Sequence, residues 1–268
     1  MSAIIKNLRL FCLMVSSAVV VSSCKETIKL DLKSAEPHIV LEAEISDHFA
    51  QHYLRISKSK AYYDNNTFTA VSGAFVVLTD DAGLIDTMHE GIPAGYYYTS
   101  VPQGIPGHTY RLHVEAEGQQ YDAVSYMPFP VQLDTFGVIS FSVPGRDPIK
   151  SCAMAFIDPA AYTNYYHYLA FQNGKRGTRF TVGNDQFTNG KLKTATVSPD
   201  DDIKSGDTLT IWLESINQNV YNYFRELNSI TSSRNQTAAP ANPQNNWTNN
   251  ALGYFNAFSY TEKTIIAP

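Results

Sequence analysis

Ile39-Val40-Leu41-Glu42-Ala43-Glu44-Ile45 alternates apolar and acidic residues. This period puts Ile39, Leu41, Ala43 and Ile45 on one face of a strand and Glu42 and Glu44 on the other. A half-buried strand follows. The alternation returns at residues 53–57, at Ala74-Val76-Leu78 ahead of the turn Asp80-Asp81-Ala82-Gly83, at 84–90, at 96–99, at Tyr110-Leu112-Val114-Ala116 and at 121–125. Seven short strands at turn-punctuated spacing, with no helical period among them, predict an immunoglobulin-like or transthyretin-like β-sandwich over residues 37–127.

Met127-Pro128-Phe129-Pro130 interrupts that pattern, because proline cannot donate to a sheet ladder and stiffens the chain. A domain boundary is expected there, followed by a second β-rich domain over residues 131–268. Its strands are predicted at 132–141, 151–157, 165–172, 178–182, 191–197, 208–215 and 254–261. One helix is expected near 218–230. Asn217 is placed to cap it, and Val220, Tyr223, Phe224 and Leu227 fall at i, i+3, i+4 and i+7, one apolar stripe that faces a core. Residues 228–250 are rich in Asn, Ser, Thr and Pro and predict a long polar loop, either a binding element or a loose connection.

Ahead of the strands, Lys6 and Arg9 precede an apolar run over residues 10–21 that ends in Val21-Ser22-Ser23-Cys24. The run is too short to cross a bilayer as a helix. A positive start, a short apolar core and small residues before a cysteine predict a lipoprotein signal peptide at 1–23, with Cys24 lipidated and 24–36 as the tether. An ordinary secretory signal is the competing reading. Removal of 1–23 leaves 18 basic against 25 acidic residues, a balance of −7. That balance disfavours nucleic acid or anionic lipid as a partner, so the membrane contact is expected to come from the lipid. Cys152 then stands alone, on a strand face shared with Met154 and Phe156, where a buried thiol is inert.

No nucleophile elbow, His-Glu-x-x-His, phosphate-cradling glycine loop or zinc-spaced cysteine pair is present in the sequence. A non-enzymatic protein without a cofactor is expected. The seven histidines are scattered and are expected to be solvated. Asp200, Asp202 and Asp207 are weak calcium candidates, because Lys204 and Ser205 break the spacing of a calcium loop and favour a solvated turn. Asp80, Asp81 and Glu90 offer carboxyl groups, but spacing alone assigns no glycosidase pair. Tyrosine-rich strands suit a core. Tyr62, Tyr63 and Trp247, on predicted loops, are the candidate ligand-binding residues. Asp86-Thr87-Met88 and Asp207-Thr208-Leu209 fit an Asp-Ser/Thr-apolar pattern for O-glycosylation, which makes Thr87 and Thr208 candidate acceptors.

In its ordered set of short motifs the chain resembles the Bacteroidota outer-membrane lipoproteins of domain of unknown function 4249. The matching residues include Cys24-Lys25-Glu26, Leu30-Asp31-Leu32, Val71-Ser72-Gly73-Ala74, Asp80-Asp81-Ala82-Gly83, Gly95-Tyr96-Tyr97, Gly107-His108-Thr109-Tyr110, Asn184-Asp185, Asn189-Gly190, Gly206-Asp207, Tyr221-Asn222-Tyr223-Phe224 and Ala251-Leu252-Gly253-Tyr254-Phe255. Ala43 and Asn249-Asn250 depart from glycine-containing positions of that pattern. The resemblance implies encoding beside TonB-dependent transporters, and Lys25-Glu26 is similar to the start of a surface-export signal. The expected function is therefore a lipid-anchored, surface-exposed outer-membrane accessory of a TonB-dependent transporter, binding its cargo or a nutrient ligand. A surface glycan-processing hydrolase and an adhesin are the alternatives. Phe224→Ala is expected to destabilise the second unit by about 3–5 kcal/mol through the cavity it leaves, and a lowered thermal midpoint checks both the helix and its inward face.

Overall fold

The alternating stretch forms β1 (Ile39–Ser46), with Leu41, Ala43 and Ile45 in the core and Glu42 and Glu44 on the opposite face. It belongs to a computed structural model that describes residues 36–60, 68–142, 144–145, 148–232 and 242–268. After β1 come β2 (Tyr53–Lys58), β3 (Thr69–Ala70), β4 (Phe75–Asp80), β5 (Ile85–Glu90), β6 (Tyr96–Tyr98), β7 (Thr109–Ala116) and β8 (Gln119–Tyr126). The second half contributes β9 (Thr135–Phe141), β10 (Ile149–Ile157), β11 (Tyr165–Gln172), β12 (Lys175–Arg176), β13 (Thr181–Asn184), β14 (Leu192–Val197) and β15 (Thr208–Ile216). Helix α1 (Gln218–Ser232) and β16 (Leu252–Ile266) complete the chain.

The protein is mainly β and is built of sandwiches. Among the described residues, one continuous sheet runs β12-β11-β15-β16-β1-β2-β6-β5-β4-β7-β8, and a three-stranded sheet runs β14-β10-β9. The long sheet closes over itself to bury the first core, in which Leu41, Leu54, Ile56 and Tyr97 meet Val76, Leu78, Leu112 and Val114. The small sheet packs Cys152, Met154 and Phe156 against Tyr166, Tyr168, Ile211 and Leu213 to bury the second. Helix α1 covers the other face of the second unit's long sheet, where Val220 and Phe224 meet Ile216 and Phe258. Phe224 is 1% exposed, as the apolar stripe requires. Asn217 caps as expected: its Oδ1 accepts from the Val220 amide at 3.0 Å.

Strand β16 corrects one expectation. The unit assigned to 131–268 is not a separate body, because Trp247, Ala251, Phe255 and Ala257 lie in the first core. The first half of β16 pairs in parallel with β1, from Val40 opposite Leu252 to Ser46 opposite Phe258. Its second half pairs antiparallel with β15, from Ser215 opposite Ser259 to Thr208 opposite Ile266. Pattern reading locates a strand but not its neighbours, and a parallel partner some two hundred residues away leaves no local mark.

The close approach of β16 to β1 has a specific requirement. Gly253 sits at φ +99°, and a Cβ there would meet the Leu41 carbonyl oxygen at 2.1 Å. Only glycine adopts that backbone without strain. The two asparagines that replace a glycine turn, Asn249 and Asn250, take φ 54° and 56°, a left-handed conformation that asparagine tolerates. Gly253→Ala is expected to cost about 3 kcal/mol or more, from backbone strain and from displacement of β1. Urea unfolding, with both units followed in one transition, measures it.

Candidate functional site

Where the first unit passes into the second, the chain leaves a cleft of about 340 Å³. Its volume is in the range of small-molecule sites. Tyr126, Phe129 and Tyr162 wall it with Pro128, Pro130 and Pro159, and Ser215, Ile216, Asn217 and Gln218 line it from the second unit. These rings are half exposed, Tyr162 most of all at 60%. Phe129 rests on Gly107, where a Cβ would meet the ring at 2.9 Å. The loop that carries Tyr162 is held by Asn164, whose Nδ2 donates to the Pro159 and Tyr162 carbonyls at 2.8 Å each. The Asn164 amide in turn donates to Asp185 at 2.8 Å. Asn217 ties the helix start to the first unit, its Nδ2 donating to Ser125 Oγ at 2.6 Å. Ser125 Oγ also accepts from the Ala257 amide of β16.

Under helix α1 lies a second polar group of side chains. His167 and Glu214 are each 1% exposed, paired Nδ1 to Oε2 at 2.7 Å. The His167 ring packs against Phe224 at 4.7 Å between centroids. His167 Nε2 and Glu214 Oε1 have no hydrogen-bond partner among the described residues. Further along this face, Tyr254 donates to Glu44 at 2.9 Å and Arg176 reaches Glu44 at 3.6 Å. Burial and the adjacent Glu44 carboxylate raise Tyr254 well above the usual phenol range. Breaking the His167–Glu214 pair leaves a buried polar group unmatched.

The structure places the sequence-derived candidates as follows. Trp247 is not a loop ligand site: it is 7% exposed in the first core, and its Nε1 donates to the Leu41 carbonyl at 3.0 Å. Its aromatic body fills the space between β8 and β16, which makes it structural. Cys24, Tyr62 and Tyr63 lie outside the described residues. Asp207 accepts from Gln172 at 2.6 Å, from Asn173 at 2.9 Å and from the Lys204 amide at 2.7 Å. Asp200 accepts from Thr178 and Asp201 pairs with Lys175, while Asp202 contributes a backbone carbonyl to Gln172. No group able to hold a metal occurs among the described residues. Thr87 is exposed within β5, beside a buried Asp86 that accepts from the Ser100 amide. Thr208 is half-buried at the start of β15, its amide given to Asn173 Oδ1.

The histidines depart from the solvated expectation at two places. His52 is 5% exposed, with burial lowering its basicity, and His167 is buried beneath α1. A helix that covers the second face of a strand cannot be read from the strand's own alternation. The expected inert thiol is 1% exposed at Cys152, and burial pushes it up to about 11. The junction cleft escaped sequence reading. Its only local mark is Met127-Pro128-Phe129-Pro130, which signals a boundary and not a site.

Two fused β-sandwiches that share a strand and leave a cleft at their junction define the class of this protein. The chain belongs to the family described as Domain of unknown function (DUF4249), which matches residues 25–264. No curated protein matches it. Among solved structures it is similar to a two fibronectin type-III domain segment from chicken tenascin, at 9% identity and a TM-score of 0.22. That match covers 87% of this chain and 100% of that one. The fold assignment rests on the sheets described above.

The candidate carboxylates are occupied as turn staples. Asp80 Oδ1 accepts from the Ala82 and Leu84 amides at 2.9 and 2.8 Å, and its Oδ2 meets His108 at 2.8 Å. Glu90 accepts from the Gly73 amide at 3.0 Å and the Gly95 amide at 2.9 Å. Hydrogen bonds from Ser72, Gly95 and Gly73 hold its carboxyl down to about 2. A folded pKa below the unfolded value contributes stability that is present above the unfolded pKa and lost as pH falls through the folded one. The wild type is expected to exceed Glu90→Gln in urea midpoint at pH 6. The gap should close between about pH 5 and pH 2, and a gap that is constant across that window contradicts the staple.

Proposed function

We propose that this protein is a lipid-anchored cell-envelope component that catalyses no reaction of its own and acts as an accessory or cargo-binding partner of a TonB-dependent outer-membrane transporter. The observation that carries the reading is Val21-Ser22-Ser23-Cys24 behind the apolar run at 10–21, on a body with a balance of −7 once 1–23 are removed. An acidic body has little affinity of its own for an anionic membrane, whereas two acyl chains hold a protein stably. Transporter context comes from the family resemblance. The cleft adds a site of small-molecule size, suited to a cargo or nutrient ligand.

Cys24→Ala is expected to shift the protein from the outer-membrane fraction to the soluble periplasmic fraction, or to leave it uncleaved. Fractionation after a carbonate wash measures this, and retention with the membrane refutes lipid anchoring. For the partnership, a mild-detergent pull-down from native outer membrane is expected to recover a TonB-dependent transporter. Recovery of the bait alone refutes that part of the reading.

A further inference from the structure

We propose that two copies of this chain join edge to edge at β9, antiparallel and about a two-fold axis, so that their small sheets run on as one. β9 ends its sheet and pairs only with β10. Among the described residues, no backbone hydrogen bond from outside β10 reaches it between Thr135 and Phe141. Every second N–H and C=O along its outer side therefore points away from the sheet, a template for another strand. The remaining sheet ends are guarded. β12 is Lys175-Arg176 itself, β14 carries Lys193, and β8 is strapped by residues 246–248, which bond it at Asp122 and Val124. β9 has none of these devices: Thr135-Phe136-Gly137-Val138-Ile139-Ser140-Phe141 holds no charge and no proline. The carboxylate of Asp134, just ahead of it, accepts from the Ile157 amide.

The side chains of β9 fit a strand of the same sequence. Phe136 and Val138 face the second core yet stay partly exposed, because no strand flanks them. Phe141 is 53% exposed. Gly137, in mid-strand, has open space where a Cβ would stand, and a glycine there marks a place where another backbone can come close. Antiparallel register about Val138 sets Val138 against its own copy, Phe141 against Thr135 and Ile139 against Gly137. Facing residues of a strand pair lie on one side of the sheet, so Ile139 of each copy fills the space over Gly137 of the other. A charged partner strand finds no complement on this edge, whereas a second copy brings no like charges together. Seven residues bury an area at the low end for specific association, so the dimer is reversible, with a Kd on the order of 10 μM.

Sedimentation equilibrium of the protein purified from its own host, in density-matched detergent, is expected to show a monomer–dimer equilibrium. Ile139→Lys should weaken it about tenfold or more without lowering the thermal midpoint, because alternation turns residue 139 away from the core that Phe136 and Val138 face. Thr194→Lys, exposed on the same outer face but in β14, should leave it unchanged. A dimer indifferent to Ile139→Lys, or weakened as much by Thr194→Lys, overturns edge pairing. So does a monomer at every concentration up to about 100 μM, which leaves the edge to a strand of another protein. Cysteine pairing reads the register. Gly137→Cys and Ile139→Cys proteins, mixed and oxidised, are expected to form more disulfide-linked dimer than either alone, since facing Cβ atoms of a strand pair come within disulfide reach. No excess in the mixture overturns the proposal. A failed transporter pull-down leaves it standing, since it rests on β9 alone.

Discussion

The structure depends on one strand that has to satisfy two sheets. β16 runs for fifteen residues, its first half in parallel register with β1 and its second half antiparallel to β15. Each half fills a different core, with Phe255 and Ala257 in the first and Ala267, just beyond the strand, in the second. Backbone groups at these positions need partners on both flanks, so neither sandwich completes its ladder without a segment that arrives last in the chain. Asp47 fastens the handover: its amide donates to the Phe258 carbonyl and its carboxylate accepts from the Tyr260 amide.

This shared strand explains why the junction is built and not a slack linker. Ser125 in β8 receives both Asn217, at the start of the helix, and Ala257, in β16. Three segments distant in sequence thus meet at one hydroxyl. The cleft beside it inherits fixed walls, because Phe129 is seated on Gly107 and Tyr162 is carried by a loop stapled through Asn164. A site between units is most selective when its walls are held in this way. The late polar segment contributes to the same rigidity where it is described. Asn246 donates to the Val124 and Phe255 carbonyls, and Thr248 exchanges hydrogen bonds with Asp122, so residues 245–251 act as a strap across β8.

Helix α1 introduces a different constraint. By covering one face of β11 and β15 it buries His167 and Glu214 together, a pair that sequence spacing of 47 positions does not suggest. Buried pairs of this kind add little net stability, since desolvation offsets most of the attraction. Parting the members of this pair leaves a titratable group alone in an apolar layer of Phe180 and Phe224.

The sequence by itself determined the local elements: the alternation of Ile39 to Ile45, the turn at Asp80-Asp81-Ala82-Gly83, the Asn217 cap with its Val220–Phe224 stripe, and the burial of Cys152. These follow from periodicity and turn chemistry, which are properties of neighbouring residues. Tertiary structure decided the rest. Trp247 looked like a loop residue because its partners, Leu41 and Ala123, are more than a hundred positions away. His167 looked solvated because the helix that covers it comes fifty residues later in the chain. The cleft exists only where Pro128, Tyr162, Ser215 and Gln218 converge. Which faces are covered twice, and which stay open, depends on how distant segments pack, and no local period encodes that.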